Sequence, residues 1–320
     1  MPAPPSPDTP PTPPEPQGPP DRPSTTADGI RLAVGTLSVF PVRPGVVDRR
    51  AAGIAMAVAP LVGVAIGAVA ALVLTISLWL AVTPLPASVL AVATVALLTR
   101  GLHLDGLADL ADGLGSGRSA ERALEIMKRS DIGPFGVVAL VLTLLVQVTA
   151  LHEAIRAGAG PVTLVVACAA GRLALTWACR TGVPSARPDG LGAMVAGTVR
   201  WGTVLVVTAL TLAATAALAW IHELGILGGY ASSSFEGDGY GYVSYVPGNG
   251  IVLDYGLTAG LGPFLAPWGL PLAVAVGLLA AWALRRRAVR RLGGVTGDVL
   301  GALVETATAA TLLACTVLAN

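Results

Sequence analysis

The segment HLDGLADLADGLG, from His103 to Gly115, concentrates acidic side chains in a chain that is otherwise mostly apolar. Its aspartates, Asp105, Asp109 and Asp112, follow one another at intervals of four and three residues, so on a helix they share one narrow face. Like charges this close repel one another unless a cation lies between them. A hard divalent ion such as Mg²⁺ takes oxygen ligands and keeps positions open for water or substrate phosphate. The spacing therefore favours a metal-binding helix face over a solvated helix start whose acids interact with the helix dipole.

A second pair of acids, Asp298 and Glu305, lies in the segment RRLGGVTGDVLGALVE, seven residues apart on one predicted helix face. Thr296 is predicted to cap this helix through the backbone amide of Asp298 or Val299. Glu305 would lie about two turns inside an apolar span, where a carboxylate is costly and is by default a functional candidate. The alternative is a helix crossing at small residues that encloses a buried pair.

Basic residues near these acids could bind phosphate groups. Lys128 and Arg129 follow the aspartate segment in EIMKRSDIGPFG, Arg172 stands in an apolar stretch, and Arg187 lies in a polar loop. A guanidinium inside an apolar span needs a carboxylate or phosphate partner. Metal ions and basic groups together neutralise a polyphosphate. For the other three residues, ordinary membrane-edge charge or a loop salt bridge explains the pattern equally well.

Long apolar stretches must position these residues. The 320-residue chain is 54% hydrophobic and 12% charged, with a mean hydropathy of +0.73, whereas a soluble domain carries about 25% charged residues. We therefore expect an all-α, polytopic membrane helix bundle over residues 29–320, after a disordered proline-rich tail over residues 1–28. About seven stretches are long enough to cross a bilayer; they are 53–81, 84–100, 133–151, 161–179, 202–221, 263–284 and 298–318.

The basic residues predict which end of the bundle carries the chemistry. With seven spans and a cytoplasmic N-terminus, eighteen of the twenty Lys and Arg residues fall in cytoplasmic segments, as the positive-inside rule requires. Both acidic segments and the Arg187 loop then emerge on the cytoplasmic face of the cell membrane. The stretch 223–262 holds no Lys or Arg and is predicted to be a long extracytoplasmic loop, an insertion without a catalytic role.

Four segments, HLDGLADLADGLG, EIMKRSDIGPFG, ARPDGLG and GGVTGDVLGALVE, occur in this order on one membrane scaffold. Together they resemble the cobalamin synthase family, the adenosylcobinamide-GDP ribazoletransferases, over about residues 30–320 apart from the outer loop. The resemblance implies a Mg²⁺-dependent transfer that joins adenosylcobinamide-GDP to α-ribazole, or to its 5′-phosphate, and releases GMP. The product would be adenosylcobalamin or its 5′-phosphate. The residues alone indicate only a Mg²⁺-dependent phosphotransferase at a cytoplasmic membrane face.

This resemblance, together with residue type and expected depth, suggests a role for each candidate. Asp105, Asp109, Asp112 and Asp298 are expected to hold one or two Mg²⁺ ions that bridge the diphosphate. One carboxylate that binds no metal, Asp109 or Glu305, is expected to accept the proton of the ribazole 5′-hydroxyl as it attacks the phosphorus on the cobinamide side. The expected substrate contacts are His103, Lys128, Arg129, Arg172, Arg187 and Thr296.

Two other functions remain open from the residues. A CDP-alcohol phosphotransferase of phospholipid synthesis uses a similar aspartate-rich helix, but the motif of that class has Arg at the position where this chain has Asp109. A cation-coupled transporter also carries acids in its spans, yet here the acids cluster at one membrane face without a visible internal repeat. The expected partners are the small-molecule substrates and the lipid bilayer, with no nucleic acid. A homo-oligomer, or association with other enzymes of the corrinoid pathway, is left open.

Overall fold

The computed structural model describes residues 22–43, 45–129, 131–223, 243–246, 250–253 and 268–318. Within these ranges the chain forms eleven helices and one antiparallel hairpin. The helices are α1 (Thr26–Leu37), α2 (Arg49–Trp79), α3 (Pro84–Leu98), α4 (Leu102–Gly115), α5 (Ala120–Ile126), α6 (Pro134–Arg156), α7 (Gly160–Ala178), α8 (Gly190–Val195), α9 (Trp201–Glu223), α10 (Gly269–Leu292) and α11 (Gly297–Leu318), and the strands are β1 (Val243–Val246) and β2 (Gly250–Leu253). The predicted helical membrane class is confirmed, because six of the described helices are long and apolar enough to cross a bilayer.

The remaining expected span, 84–100, is a short helix followed by a sharp turn. α3 has 15 residues, which is about 22 Å of helix and shorter than the ~30 Å hydrocarbon core. At Arg100 and Gly101, whose φ angles are 55° and 67°, the chain turns by 88° into α4. The aspartate segment therefore lies across one end of the bundle, outside the spanning helices.

Several helix ends meet at this end of the bundle, which we call the site end. Arg49, at the start of α2, donates to the carbonyl oxygens of Ala193 and Ala196 beside α8, at 2.6 and 2.8 Å. Arg100, just after α3, donates to the Gly35 carbonyl of α1 at 3.1 Å. α2 leaves the site end and α3 returns to it, so the bent pair of α3 and α4 is the seventh candidate span among the described helices.

α7 is the central helix and α9 is the most peripheral. In the most apolar stretch of α7, 78% of the residues are buried, whereas the corresponding share in α9 is 17%. α2 runs unbroken for 31 residues through Pro60 and contacts α7 through a buried hydrogen bond from Thr176 Oγ1 to the Met56 carbonyl, at 2.8 Å. α7 is therefore the packed centre of the described bundle, whereas α9 is loosely attached at its edge.

α1 begins at Thr26, earlier than the expected start of the ordered domain at residue 29. Thr25 and Asp28 form a capping box, and Arg22 pairs with the buried Asp28 carboxylate at 2.7 Å. The hydrogen bond from Arg22, followed by those from Thr25, holds the pKa of Asp28 well below its ordinary value. α1 thus begins three residues before the expected domain start, and the disordered tail stays a prediction because residues 1–21 lie outside the described ranges.

The expected outer loop, 223–262, also lies largely outside the described residues. Its described part is the last residue of α9 and the hairpin, in which Val243 pairs with Leu253 and Val246 pairs with Gly250. Its assignment as an insertion stays a prediction, as does the cytoplasmic position of the N-terminus.

Candidate active site

α4 crosses the first turn of α11 closely enough to bring the two acidic segments together. A Cβ atom on Gly106 would lie 2.7 Å from the carbonyl oxygen of Asp298, which is too close for any side chain, so this crossing requires glycine. Asp105 precedes Gly106 and Asp109 follows about one turn later on α4. The crossing therefore places the carboxylates of α4 beside the start of α11.

A short backbone ladder joins the loop before Arg187 to the start of α11. The Val295 amide donates to the Pro184 carbonyl at 2.9 Å, and the Ala186 amide donates to the Val295 carbonyl at 3.0 Å. A Cβ atom on Gly294 would lie 2.6 Å from the Pro184 oxygen, so the approach of the two segments requires glycine here as well. These backbone hydrogen bonds position Arg187 near Asp298 at the start of α11.

Thr296 caps α11 and orients the nearby carboxylate. Its Oγ1 accepts from the Val299 amide at 3.2 Å, which confirms the predicted cap, and donates to Asp298 Oδ2 at 3.2 Å. The same carboxylate oxygen lies 3.9 Å from Arg187 Nη1. Arg187 Nη2 in turn donates to the Leu124 carbonyl of α5 at 2.7 Å. Asp298 and Arg187 thus form a long, weak ion pair, and each is held in place by its own hydrogen bond.

A cavity of about 290 Å³ opens beside these groups. α4, α11 and residues 185–192 form its polar wall, while α1, α2 and α7 form a largely apolar wall. The polar lining consists of His103, Asp105, Ser185, Arg187, Asp189, Thr296 and Asp298. This volume is close to that of a small-molecule site. Carboxylates facing a guanidinium suit a phosphorylated ligand that is bound through a cation.

The four aspartates of the site end repel one another, and Arg187 offsets this repulsion only in part. Burial, followed by the charges of Asp105, Asp298 and Asp112, raises the pKa of the half-buried Asp109 to about 7, and Arg187 opposes this rise only in part. A divalent cation would remove the repulsion and favour the ionised form. A proton on Asp109 or a bound cation would therefore each relieve the repulsion among these acids.

The donor set fits an open Mg²⁺ site better than a closed metal cage. Within the described ranges no three His, Cys, Asp or Glu side chains converge as a metal-binding group. Mg²⁺ is usually held by one or two carboxylates, with waters and substrate phosphates completing its octahedron. Asp105 and Asp298 line the cavity and offer hard oxygen donors of this kind, Asp109 lies near both without lining the cavity, and substrate would supply further ligands.

Asp112 has a different role from the other aspartates of α4. Its Oδ2 accepts from the Gly133 amide at 2.7 Å and its Oδ1 accepts from the Gly136 amide at 2.9 Å. Both amides belong to the first turn of α6, where backbone N–H groups lack partners within the helix. Asp112 thus acts as a cap that ties α6 to α4, a role that spacing alone did not indicate.

Glu305 and Arg172 lie deeper in the bundle and do not line the described cavity. Glu305 is seven residues from Asp298, about 10 Å along α11, and its Oε2 accepts from Gln147 Nε2 at 2.8 Å. Arg172 is fully buried, and its Nε and Nη2 have no hydrogen-bond partner in the described part of the chain. Their predicted roles as base and phosphate ligand stay predictions, without direct access to the cavity.

The other predicted substrate contacts divide between cavity and surface. His103 lines the cavity, is 3% exposed, and neither ring nitrogen has a partner among the described residues. Lys128 and Arg129 are exposed on the turn after α5, where they do not form part of the cavity wall. The structure therefore brings His103, Arg187 and Thr296 together around the cavity, whereas neither exposed residue lines it.

Ser185 and the α1 residue Thr36 line the cavity although neither is among the predicted site residues. Ser185 Oγ donates to the Arg187 carbonyl at 2.7 Å, so it shapes the loop that carries the guanidinium. No spacing rule connects Ser185 with the distant acids. The capping box at Thr25 could have revealed α1, but not its position against the cavity.

Comparison with known proteins gives this geometry a family context. The chain matches the cobalamin-5-phosphate synthase family over residues 29–316, which is most of its length. The chain belongs to that family. As a member of the cobalamin-5-phosphate synthase family, it carries both acidic segments and the Arg187 loop within the matched region.

Curated relatives extend this result across nearly the whole chain. An adenosylcobinamide-GDP ribazoletransferase of Frankia casuarinae is 44% identical over 293 residues, covering 88% of this chain and 92% of the relative. Proteins of the same name from a Nocardioides species and Corynebacterium efficiens are 37% and 33% identical; they cover 90% and 93% of this chain and 97% and 94% of their own lengths. No solved structure matches this cobalamin-5-phosphate synthase family member.

Proposed function

We propose that this chain joins adenosylcobinamide-GDP to α-ribazole, or to α-ribazole 5′-phosphate, and releases GMP. The observation that carries the proposal is the meeting of Asp105, Asp298 and Arg187 around one cavity in a chain related over most of its length to ribazoletransferases. Such a reaction depends on positioning and on charge neutralisation at the phosphates more than on a covalent protein nucleophile. The CDP-alcohol phosphotransferase and transporter alternatives have no comparable support.

The acidic side chains would bind Mg²⁺ and the diphosphate together. We assign Asp105 and Asp298, which line the cavity, as the metal-holding pair, reserve Asp109 for proton transfer, and leave Asp112 as the cap of α6. When bound, Mg²⁺ would neutralise charge on the transferred phosphoryl group and the GMP leaving group. Arg187 faces the same cavity and would donate to phosphate oxygens, for which its planar guanidinium is well suited.

The attacking hydroxyl would belong to the ribose of α-ribazole. Because the 5′ position of an accepted substrate can already carry a phosphate that persists in the product, the attacking group is another hydroxyl of that sugar. Asp109 is better placed than Glu305 to accept its proton, since Asp109 lies with the other α4 acids whereas Glu305 lies about 10 Å along α11 from Asp298. The unpartnered His103 ring nitrogens would hydrogen-bond the nucleoside within the cavity.

The site end would face the cytoplasm. The arginines at the starts of α2 and after α3, the Arg187 loop and the end of α10 all belong to this end, and short basic segments remain cytoplasmic in membrane proteins. The substrates would then enter from the cytoplasmic side of the cell membrane. Cysteine labelling of a residue in the 180–200 loop, with intact cells and permeabilised cells compared, tests this orientation.

One assay tests the proposed reaction. Purified full-length protein in detergent or nanodiscs is mixed with Mg²⁺, adenosylcobinamide-GDP and α-ribazole, and chromatography follows GMP and the joined corrinoid. Equimolar formation of both products is expected with Mg²⁺ and not with excess chelator. Absence of the joined corrinoid under all substrate combinations would contradict the proposal, whereas activity retained in Asp109→Asn and Asp298→Asn would contradict only the site assignment.

A further inference from the structure

A second cavity, of about 330 Å³, lies between the loosely attached α9 and the rest of the bundle. We call it the α9 groove. Its walls come from α7, α9, α10 and α11 and are mostly apolar; they include Ala174, Trp177, Leu212, Leu278, Leu279 and Trp282. The groove and the active-site cavity share no lining residue: α7 lines the groove through Ala174, Trp177 and Ala178 and lines the cavity through Leu175. It is therefore a separate feature of the molecule.

Two arginines lie at the site-end mouth of this groove. Arg285 lines the groove, and Arg180 stacks on Trp201, which packs against the groove residue Trp177. Neither guanidinium forms an ion pair with a carboxylate in the described ranges, and Arg180 Nε and Nη1 are buried without a hydrogen-bond partner there. An arginine pair of this kind calls for an anion, because a buried donor without an acceptor is costly.

Aromatic side chains hold Arg180 in this position. Its guanidinium lies 4.7 Å from the centre of the Trp201 ring, and Trp201 packs edge-to-face against Trp177 with ring centres 5.9 Å apart. Trp177 Nε1 donates to Thr208 Oγ1 of α9 at 3.0 Å. Tryptophans of this kind concentrate at the level of the lipid headgroups. The mouth of the groove thus has the depth and chemistry of a membrane interface.

We propose that the α9 groove binds an acidic phospholipid, with one acyl chain in the groove and its phosphate on Arg180 and Arg285. An inorganic anion would pair with the arginines but leave the apolar walls empty. A neutral lipid would fill the groove but leave the arginines unpaired. Only an amphiphile with an anionic head satisfies both parts, and it would also supply packing that α9 lacks.

Measuring the binding of defined lipids to the full-length protein tests the proposed lipid site directly. Native mass spectrometry of protein titrated with phosphatidylglycerol or phosphatidylcholine of identical acyl chains compares a negative with a zwitterionic head. Two arginines near a membrane surface together favour an anionic head by about 30-fold, so this preference is expected for the wild type. The double variant Arg180→Gln/Arg285→Gln is expected to lose it.

Matched variants separate the groove from general surface charge. Arg287→Gln removes an exposed charge two residues from Arg285 on the same helix and is expected to keep the preference. Ala275→Trp fills the groove, which Ala275 lines, and is expected to weaken phosphatidylglycerol binding with both arginines intact. This variant does not depend on whether the double arginine variant folds.

Three results would overturn the proposal. Equal retention of the two lipids by the wild type would identify unselective contact with the bilayer. Unchanged phosphatidylglycerol binding in Ala275→Trp would place the lipid elsewhere. Displacement of the lipid by millimolar inorganic phosphate alone would show an anion site without a role for the groove.

Discussion

Replacing Asp112 with Asn separates capping from metal binding within the aspartate segment. Its two carboxylate oxygens accept from the Gly133 and Gly136 amides at 2.7 and 2.9 Å, and the residue is 9% exposed. An Asn side chain offers one oxygen, so one buried N–H group loses its acceptor at a cost of about 1–3 kcal/mol. The lost negative charge at the start of α6 removes about 0.3–1 kcal/mol more. We expect Asp112→Asn to lower the free energy of unfolding by about 1–4 kcal/mol.

Asp109→Asn is the matched comparison, because it makes the same chemical change one turn away. The pKa of Asp109 is raised to about 7, chiefly by burial and then by neighbouring carboxylates, so its ionised form is unfavourable in the metal-free protein. Loss of that charge is expected to leave stability unchanged or slightly higher. Loss of the proton acceptor is expected to slow GMP release by about 100-fold or more.

Unfolding midpoints in detergent, measured with and without Mg²⁺ for both variants, provide the comparison, and GMP release is recorded on the same preparations. The expected pattern is a destabilised Asp112→Asn and an inactive but stable Asp109→Asn. A wild-type midpoint in Asp112→Asn, combined with weaker Mg²⁺ binding, would refute the cap and return Asp112 to the metal ligands.

Three further predictions concern the site end. Gly106→Ala should force α4 away from the α11 backbone, which lies 2.7 Å from the added Cβ, and should reduce activity at least tenfold. The control Gly202→Ala has open space around its added Cβ. It should keep its activity and stay within about 1 kcal/mol of wild-type stability. Arg187→Gln should raise the KM for the diphosphate substrate about tenfold or more, because a charge-assisted contact is lost, whereas Arg122→Gln, on an exposed ion pair, should leave it unchanged. In chelator, the contribution of Asp109 to stability should be fully present below its ordinary pKa of 3.8 and be lost as the pH rises to about 7. Asp109→Asn should reduce this slope, and a slope unchanged in that variant would exclude Asp109 as its source.

The lengths of the apolar stretches predicted the membrane helices well, because a bilayer accepts only segments that satisfy their own backbone hydrogen bonds. The expected span 84–100 shows the limit of that reasoning. Its apolar composition is continuous through Leu98, but positive φ angles at Arg100 and Gly101 turn the chain by 88°. Hydropathy records how apolar a segment is and carries no information about such a bend.

The predicted Thr296 cap was accessible from sequence because a helix cap depends on residues within one turn. The role of Asp112 could not be predicted from sequence, since its partners, Gly133 and Gly136, lie at the start of another helix. Spacing correctly placed Asp112 on the same predicted face as the other acids. It could not show that this carboxylate meets the amides of α6 instead of the cavity.

The sequence by itself determined that this is a helical membrane protein, located its acidic segments, and supported its family. Those properties follow from composition, from spacing within single helices and from motif order. Only the tertiary structure decided how the acids divide between the cavity, the cap of α6 and the buried layer around Glu305 and Arg172. The physical reason is that a carboxylate acts according to the donors and charges that face its oxygens, and here those groups come from helices far apart in the chain.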